Sequence, residues 1–341
     1  MVFEFEFTVA NEARVTARIV RIGVIGVGSM GRNHTRVLSG LPSAKLVGIF
    51  DPDTTQAALV ASEYGSIAFP SVANLIAESD AVVIAAPTTT HRDLALQCIA
   101  ASKPALIEKP LAANAQEAEE IQRESQRRGA LIQVGHIERF SPVVGEVRSI
   151  LTRERPLAFS MRRMSPPTPR IEVDVVHDLM IHDLDLALLL TGQRPVFVSA
   201  VASGAEGLAL DLVMAHMLMD GGVVCDFTGS KVAQHKIRDM MITVEDALIT
   251  VDHINHSITI YRRSLPTFTT QGGNSRFREE NVVEKPYISY VEPLRRELEH
   301  FIWCVATGAT PEVSVREGLE ALRLAHIICD RAAAASGRGA L

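Results

Sequence analysis

Two rhythms of apolar residues run along the chain, and they change over near residue 140. Before that point, short apolar runs alternate with longer segments whose apolar residues recur every three or four positions. The runs Ile19–Ile25, Leu46–Phe50, Asp80–Ala85, Pro104–Ile107 and Leu131–Val134 read as buried strands. Between them, a segment with Met30, His34, Val37 and Leu38 on one face, then 54–64, 92–101 and 113–128, read as helices, with Asp53 as N-cap of the second. Strands alternating with helices of this length predict a doubly wound parallel sheet. Ligands bind such sheets beyond the carboxyl ends of the strands, so Gly26, Asp51, Pro87, Lys109 and His136 are expected to converge on one crevice.

After Phe140 the pattern becomes a helix (141–152), a strand (157–164), a stiff Pro-rich loop and a strongly apolar helix (175–190) stopped by Gly192. The runs 196–202, 209–218, 223–229, 237–244, 248–251 and 257–261 follow with short turns and no helix between them. They predict a mostly antiparallel open sheet in an α+β arrangement. Residues 265–285, polar and holding Gly272-Gly273, are expected to be a long loop, and 293–307 and 315–335 to be closing helices. The expected division is an extension over 1–18, a Rossmann domain over 19–139 and a substrate-binding and oligomerisation domain over 140–341. Leu212, Met214, His216 and Leu218 alternate along one strand, so one open sheet face is largely apolar and needs cover.

Composition narrows the class. Of 341 residues, 47% are hydrophobic and 22% charged, as in an ordinary globular protein, and the length favours two cores. A net charge of −6 without a basic face speaks against nucleic acid, and no apolar run reaches membrane-spanning length. The cysteines Cys98, Cys225, Cys304 and Cys329 are far apart, which suits free thiols in a reducing, cytoplasmic compartment. Residues 1–18 lack a basic start followed by an apolar core and so do not resemble a secretion signal; 2–7 alternate at period two, as in an extra strand.

Three motifs carry chemistry. Gly26-Val27-Gly28-Ser29-Met30-Gly31 closes the first strand with the spacing that turns tightly, admits a pyrophosphate and packs helix on strand. Asp51 ends the second strand twenty residues after Gly31, where a ribose-binding carboxylate belongs, and implies NAD. Glu108-Lys109-Pro110 presents a lysine at a strand end. Asp178 and His182, four apart on an apolar helix, are expected to form a carboxylate–imidazole pair in which Asp178 orients the ring. No metal is expected at Asp178, His182 and Asp183, since no further histidine or cysteine completes a ligand set.

With the Pro87–His91 loop and the Pro293-Leu294-x-x-Glu297-Leu298-x-x-Phe301 helix, these motifs resemble the Gfo/Idh/MocA sugar dehydrogenases, from about Arg18 to Arg331. The resemblance implies an oxidoreductase acting on CH–OH groups with NAD. It implies cofactor contacts from Gly26, Gly28, Ser29, Met30, Gly31, Asp51, Ala86, Pro87, Thr88, His91, Glu108, Lys109 and His136. It also implies His182, oriented by Asp178, as base, Lys109 as cationic donor, and a homo-oligomer, dimer or tetramer, formed through the second sheet. Residues 135–140 and 178–185 look most like the members that oxidise C3 of UDP-N-acetylglucosamine for 3-amino sugars such as those of lipid A. A free-sugar or inositol-type dehydrogenase is the alternative, and a non-catalytic NAD-sensing regulator comes from another class. Arg139, Arg162, Arg163 and Arg170 are the expected diphosphate ligands. Ser141 stands where the family would have asparagine, and His177 is an unusual neighbour for Asp178.

Overall fold

The computed structural model describes residues 19–167, 173–203, 210–263, 267–271, 274–278 and 281–335. The extension 1–18, with its alternating 2–7 stretch, Arg170 and Gly272-Gly273 lie outside them.

The apolar runs of the first half become five parallel strands in the order β2-β1-β3-β4-β5: β1 (Val20–Ile25), β2 (Ala44–Phe50), β3 (Ala81–Ile84), β4 (Ala105–Glu108) and β5 (Ile132–Gly135). Residues of β3, β4 and β5 are buried on both faces because α1 (Ser29–Ser39), α2 (Thr54–Glu63), α4 (His91–Ala100) and α5 (Ala115–Arg128) cover the sheet. Asp53 caps α2, its carboxylate accepting from the backbone N–H of Thr55 and Gln56 at 3.0 Å each. A short helix α3 (Val72–Glu78), which the apolar pattern did not single out, is capped by Ser71. Strand order reverses between β2 and β3 about β1, which opens the crevice at the end of β1.

The second half forms an eight-stranded sheet, β15-β12-β11-β10-β6-β9-β8-β7. Its strands are β6 (Pro156–Met164), β7 (Pro195–Ser203), β8 (Leu212–Met219), β9 (Val224–Ser230), β10 (Ile237–Val244), β11 (Ala247–Asp252), β12 (Ser257–Arg263) and β15 (Asn281–Glu284). Every pairing is antiparallel except β6 with β9. Residues 265–285 are not one long loop. Thr267–Gln271 (β13) and Asn274–Arg278 (β14) pair as a hairpin, and β15 extends the sheet edge, Tyr261 opposite Val283. The β-branched and aromatic residues of Thr267-Phe268-Thr269-Thr270 and Val282-Val283 carry strand propensity that the surrounding polar residues mask.

One face of this sheet packs on α7 (Ile181–Thr191) and α9 (Val315–Ala335), with Phe159, Met161, Phe227, Met217 and Ile328 in a common core. The last two helices also reach back. Leu298 and Phe301 of α8 (Pro293–Thr307) pack against Val20, Ile22 and Leu38, and Leu319 and Leu322 of α9 join the core under β5. A Cβ on Gly318 would stand 2.8 Å from Val134, so α9 lies close against the parallel sheet. The two sheets are thereby tied by helices from the end of the chain.

Candidate active site

The glycine loop has the shape a dinucleotide needs. Gly26 turns with φ +86°, and a Cβ there would meet the Ala85 carbonyl at 2.7 Å; at Gly31 it would strike the Gly26 oxygen at 1.8 Å. At Gly28 nothing lies within 4 Å, so an incoming group can touch the backbone. Gly28 caps α1 without a side-chain bond, leaving the helix N-terminus free to face an anion. Asp51 is fixed at the ribose position by accepting from Val27 N–H at 2.8 Å and Asp53 N–H at 2.9 Å. Ser29, Pro87, Met30, Ala86 and Thr88 are exposed or half-buried around the same opening. These features fit NAD.

Three expected cofactor residues work from beneath the surface instead. His91 is buried, with Nδ1 at 2.9 Å from the Pro110 carbonyl and Nε2 at 2.9 Å from that of Ala86, so it ties two loops together and presents no free ring edge. Burial pushes its pKa below the usual imidazole value. Glu108 is also buried and takes His34 Nε2 at 2.7 Å and its neighbour's N–H, Lys109, at 3.2 Å. His136 is buried beneath His182, the rings edge to face with centroids 6.4 Å apart.

Lys109 follows β4 and points across the crevice. Its ammonium donates to the Asp178 carbonyl at 2.6 Å and lies 3.4 Å from the Asp178 carboxylate. Lys231, just past β9, grips the other carboxylate oxygen at 2.9 Å and also donates to the Val173 carbonyl. Asp178 is therefore shared by two lysines, whereas the sequence spacing paired it with His182. It lies in a wide π turn, Val176–Met180, that precedes α7. Two ammonium groups outcompete an imidazole that is itself held neutral. Burial, then the charges of Lys109 and Arg163, drive the His182 pKa well below its ordinary value, and its Nδ1 is buried without a partner. Burial, and secondarily Arg163, likewise lower Lys109, against the raising effect of Asp178 and Glu108.

Two of the arginines expected on substrate are part of the scaffold. Arg163, buried, grips Asp183 at 2.9 and 3.0 Å and Glu138 at 2.7 Å. Burial would raise Glu138, but the Arg163 guanidinium holds its carboxyl at about 2. Arg139 forms a fork with buried Asp185 at 2.6 and 2.8 Å. These pairs anchor α7 through Asp183 and Asp185 on either side of the His182 position. Arg162 is spent on Asp239 at 2.5 and 2.9 Å. The half-buried guanidinium that has no ion pair among the described residues is Arg238, on β10 beside Arg163; burial, and then the Arg163 charge, lower its pKa. Its signal was present in sequence: Arg238 shares the inward register of Met240, Ile242 and Val244. Lys231 left no such signal.

A model of the oxidoreductase family with an NAD-binding Rossmann fold matches residues 20–136, and one of the GFO/IDH/MocA C-terminal domain matches 144–250. UDP-N-acetylglucosamine 3-dehydrogenase of Acidithiobacillus ferrooxidans is 37% identical over 84% of this chain and 89% of its own length. The chain belongs to the Gfo/Idh/MocA oxidoreductases. A solved structure of that Acidithiobacillus enzyme superposes with a TM-score of 0.83 at 35% identity, over 93% of this chain and 98% of that one. The scyllo-inositol 2-dehydrogenase (NAD(+)) of Bacillus subtilis is 28% identical over 86% of this chain and 89% of its length. The Gfo/Idh/MocA chain described here is thus an NAD-binding oxidoreductase, as its glycine loop and Asp51 indicate.

Proposed function

We propose that this protein oxidises C3 of a UDP-N-acetylhexosamine to the 3-oxo sugar nucleotide, with His182 as base and Lys109 as cationic donor. The observation that carries the chemistry is the contrast between the two groups at the crevice. A half-buried imidazole whose pKa is pushed well below its ordinary value is joined there by an ammonium held in place by Asp178. His182 takes the hydroxyl proton, and Lys109 hydrogen-bonds the same oxygen as negative charge grows on it. Bound NAD supplies the hydride acceptor. Gly26, Gly28 and the α1 N-terminus would hold its pyrophosphate, and Asp51 its ribose hydroxyls. Asp178 and Lys231 position Lys109. Arg238, half-buried and unpaired among the described residues, is the group we assign to the substrate diphosphate in place of Arg139 and Arg163.

The sugar nucleotide is supported by the 37% identical relative of that name, and an inositol-type substrate by the relatives so named. NADH formation with UDP-N-acetylglucosamine, UDP-N-acetylgalactosamine, free N-acetylglucosamine and myo-inositol separates the two. Turnover of the UDP sugars alone is expected, with Arg238→Ala raising KM for them and leaving that for NAD unchanged. Turnover of myo-inositol alone would overturn the assignment. Residues 19–139 and 140–341 act in this scheme as cofactor and substrate domains. The open sheet face is inferred to close on a second copy, because Phe197, Val201, Met214, Leu218, Val224 and Tyr261 are exposed there on one continuous register. No helix among the described residues is long and apolar enough to cross a membrane. Four free cysteines suit the cytoplasm.

A further inference from the structure

His177, the residue before Asp178, faces away from Lys109 towards α9. Its Nδ1 lies 2.7 Å from Asp174 Oδ2, and Cys329 Sγ lies 3.7 Å from Asp174 Oδ1 and 3.9 Å from His177 Nδ1. One ligand atom from each residue falls within 4.8 Å of the others, and the His326 ring stands with its centroid 4.8 Å from that of His177. The reaction scheme uses none of these side chains.

We propose that Asp174, His177 and Cys329 form a zinc site that clamps the turn carrying Asp178 to α9. Thiolate, imidazole and carboxylate are the donors zinc takes, and the mixture suits its borderline softness. Tetrahedral coordination with Zn–S of about 2.3 Å and Zn–N of about 2.0 Å sets S···N and S···O edges near ~3.6 Å. With Asp174 Oδ2 as the carboxylate ligand, the S···N edge of 3.9 Å is close to that size. The 2.7 Å N···O edge must widen by about half an ångström as the metal replaces the proton between the two groups. On binding, the Cys329 thiol gives its proton to solvent. The imidazole proton moves from Nδ1 to the buried Nε2. The fourth position falls to water beside His326. Asp174 is already braced, since its Oδ1 accepts from the backbone N–H of Val176 and His177 at 2.9 Å each.

The test is titration of the full-length protein, stripped with chelator, first with cobalt(II) and then with zinc. One equivalent of cobalt is expected to give a thiolate-to-cobalt charge-transfer band that zinc abolishes. Zinc is expected to raise the thermal midpoint. Cys329→Ser and His177→Gln should each lose the band and the midpoint rise. Should Cys329→Ser fail to fold, His177→Gln, which keeps the thiol, carries the comparison. Absence of the band in folded wild-type protein overturns the site, and so does its persistence in either variant.

Discussion

At the residue scale, the active-site charges differ from what a helical spacing alone implies. Asp178 and His182 are four positions apart, yet Asp178 serves Lys109 and Lys231. The pH profile of kcat/KM carries the consequence. In the proposed scheme His182 must be neutral to accept a proton, and its pKa is pushed well down, so the acid limb is expected well below pH 6.5. Lys109 must be protonated to donate, and its pKa is lowered, so activity is expected to fall as pH rises before reaching 10.5. Asp178→Asn removes a carboxylate that raises Lys109. It should move the alkaline limb to lower pH and leave the acid limb in place. If Lys109 were the base, the same variant would shift a rising limb downward and gain rate near neutrality. His182→Ala should lose roughly 10²–10⁴-fold in kcat. Asp51 makes a second residue-scale prediction. Its carboxylate, fixed by Val27 N–H, would repel a 2′-phosphate, so NAD should bind more tightly than NADP, and Asp51→Ala should narrow the gap in a fluorescence titration.

At the element scale, helices brought in from the end of the chain support the crevice from behind. Glu297 on α8 is fully buried and neither carboxyl oxygen has a partner. Burial, and then the nearby Glu108 charge, raise its pKa well above the ordinary 4.5. A carboxyl whose folded pKa exceeds its unfolded value contributes full stability below the unfolded value, and that contribution is lost as pH rises towards the folded one. Glu297→Gln keeps the shape and removes the ionisation. It is expected to raise the thermal midpoint at pH 8 to 9, by a few degrees if the gain is about 1 kcal/mol, and to change it little near pH 4. Equal effects at both values would show that the Glu297 carboxyl is not raised in the folded protein. α7 is held differently, by the Arg163–Asp183 and Arg139–Asp185 pairs.

At the scale of the whole molecule, the eight-stranded sheet has one face in the core and one open. Alternation along β8 buries Val213, Ala215, Met217 and Met219 and exposes Met214, His216 and Leu218. A continuous exposed apolar face of this kind marks an association surface. Light scattering at micromolar concentration is expected to give a dimer or a larger multiple. Met214→Asp with Leu218→Asp should shift the mass towards one chain while NAD binding persists, because the glycine loop lies on the other sheet. A monomeric wild type would overturn the pairing.

The sequence by itself determined what depends on short-range spacing. Strand runs, the Gly26–Gly31 turn, Asp51, the Asp53 cap and the period-two faces of the second sheet are legible because backbone sterics and hydrophobic alternation act within a few residues. It also placed Lys109 at the crevice, since strand ends in a doubly wound sheet converge by topology, while His182 rested on the resemblance of its helix to the family. Only the tertiary structure decided which charges meet. Arg139 and Arg163 read as substrate ligands until Asp185, Asp183 and Glu138 were found closing on them, at separations of 46, 20 and 25 residues along the chain. Lys231 reaches Asp178 from beyond β9, and Cys329 reaches His177 from α9. Those pairings follow from how helices cross sheets and from the high cost of burying an unpaired charge, and neither leaves a periodic trace in the chain.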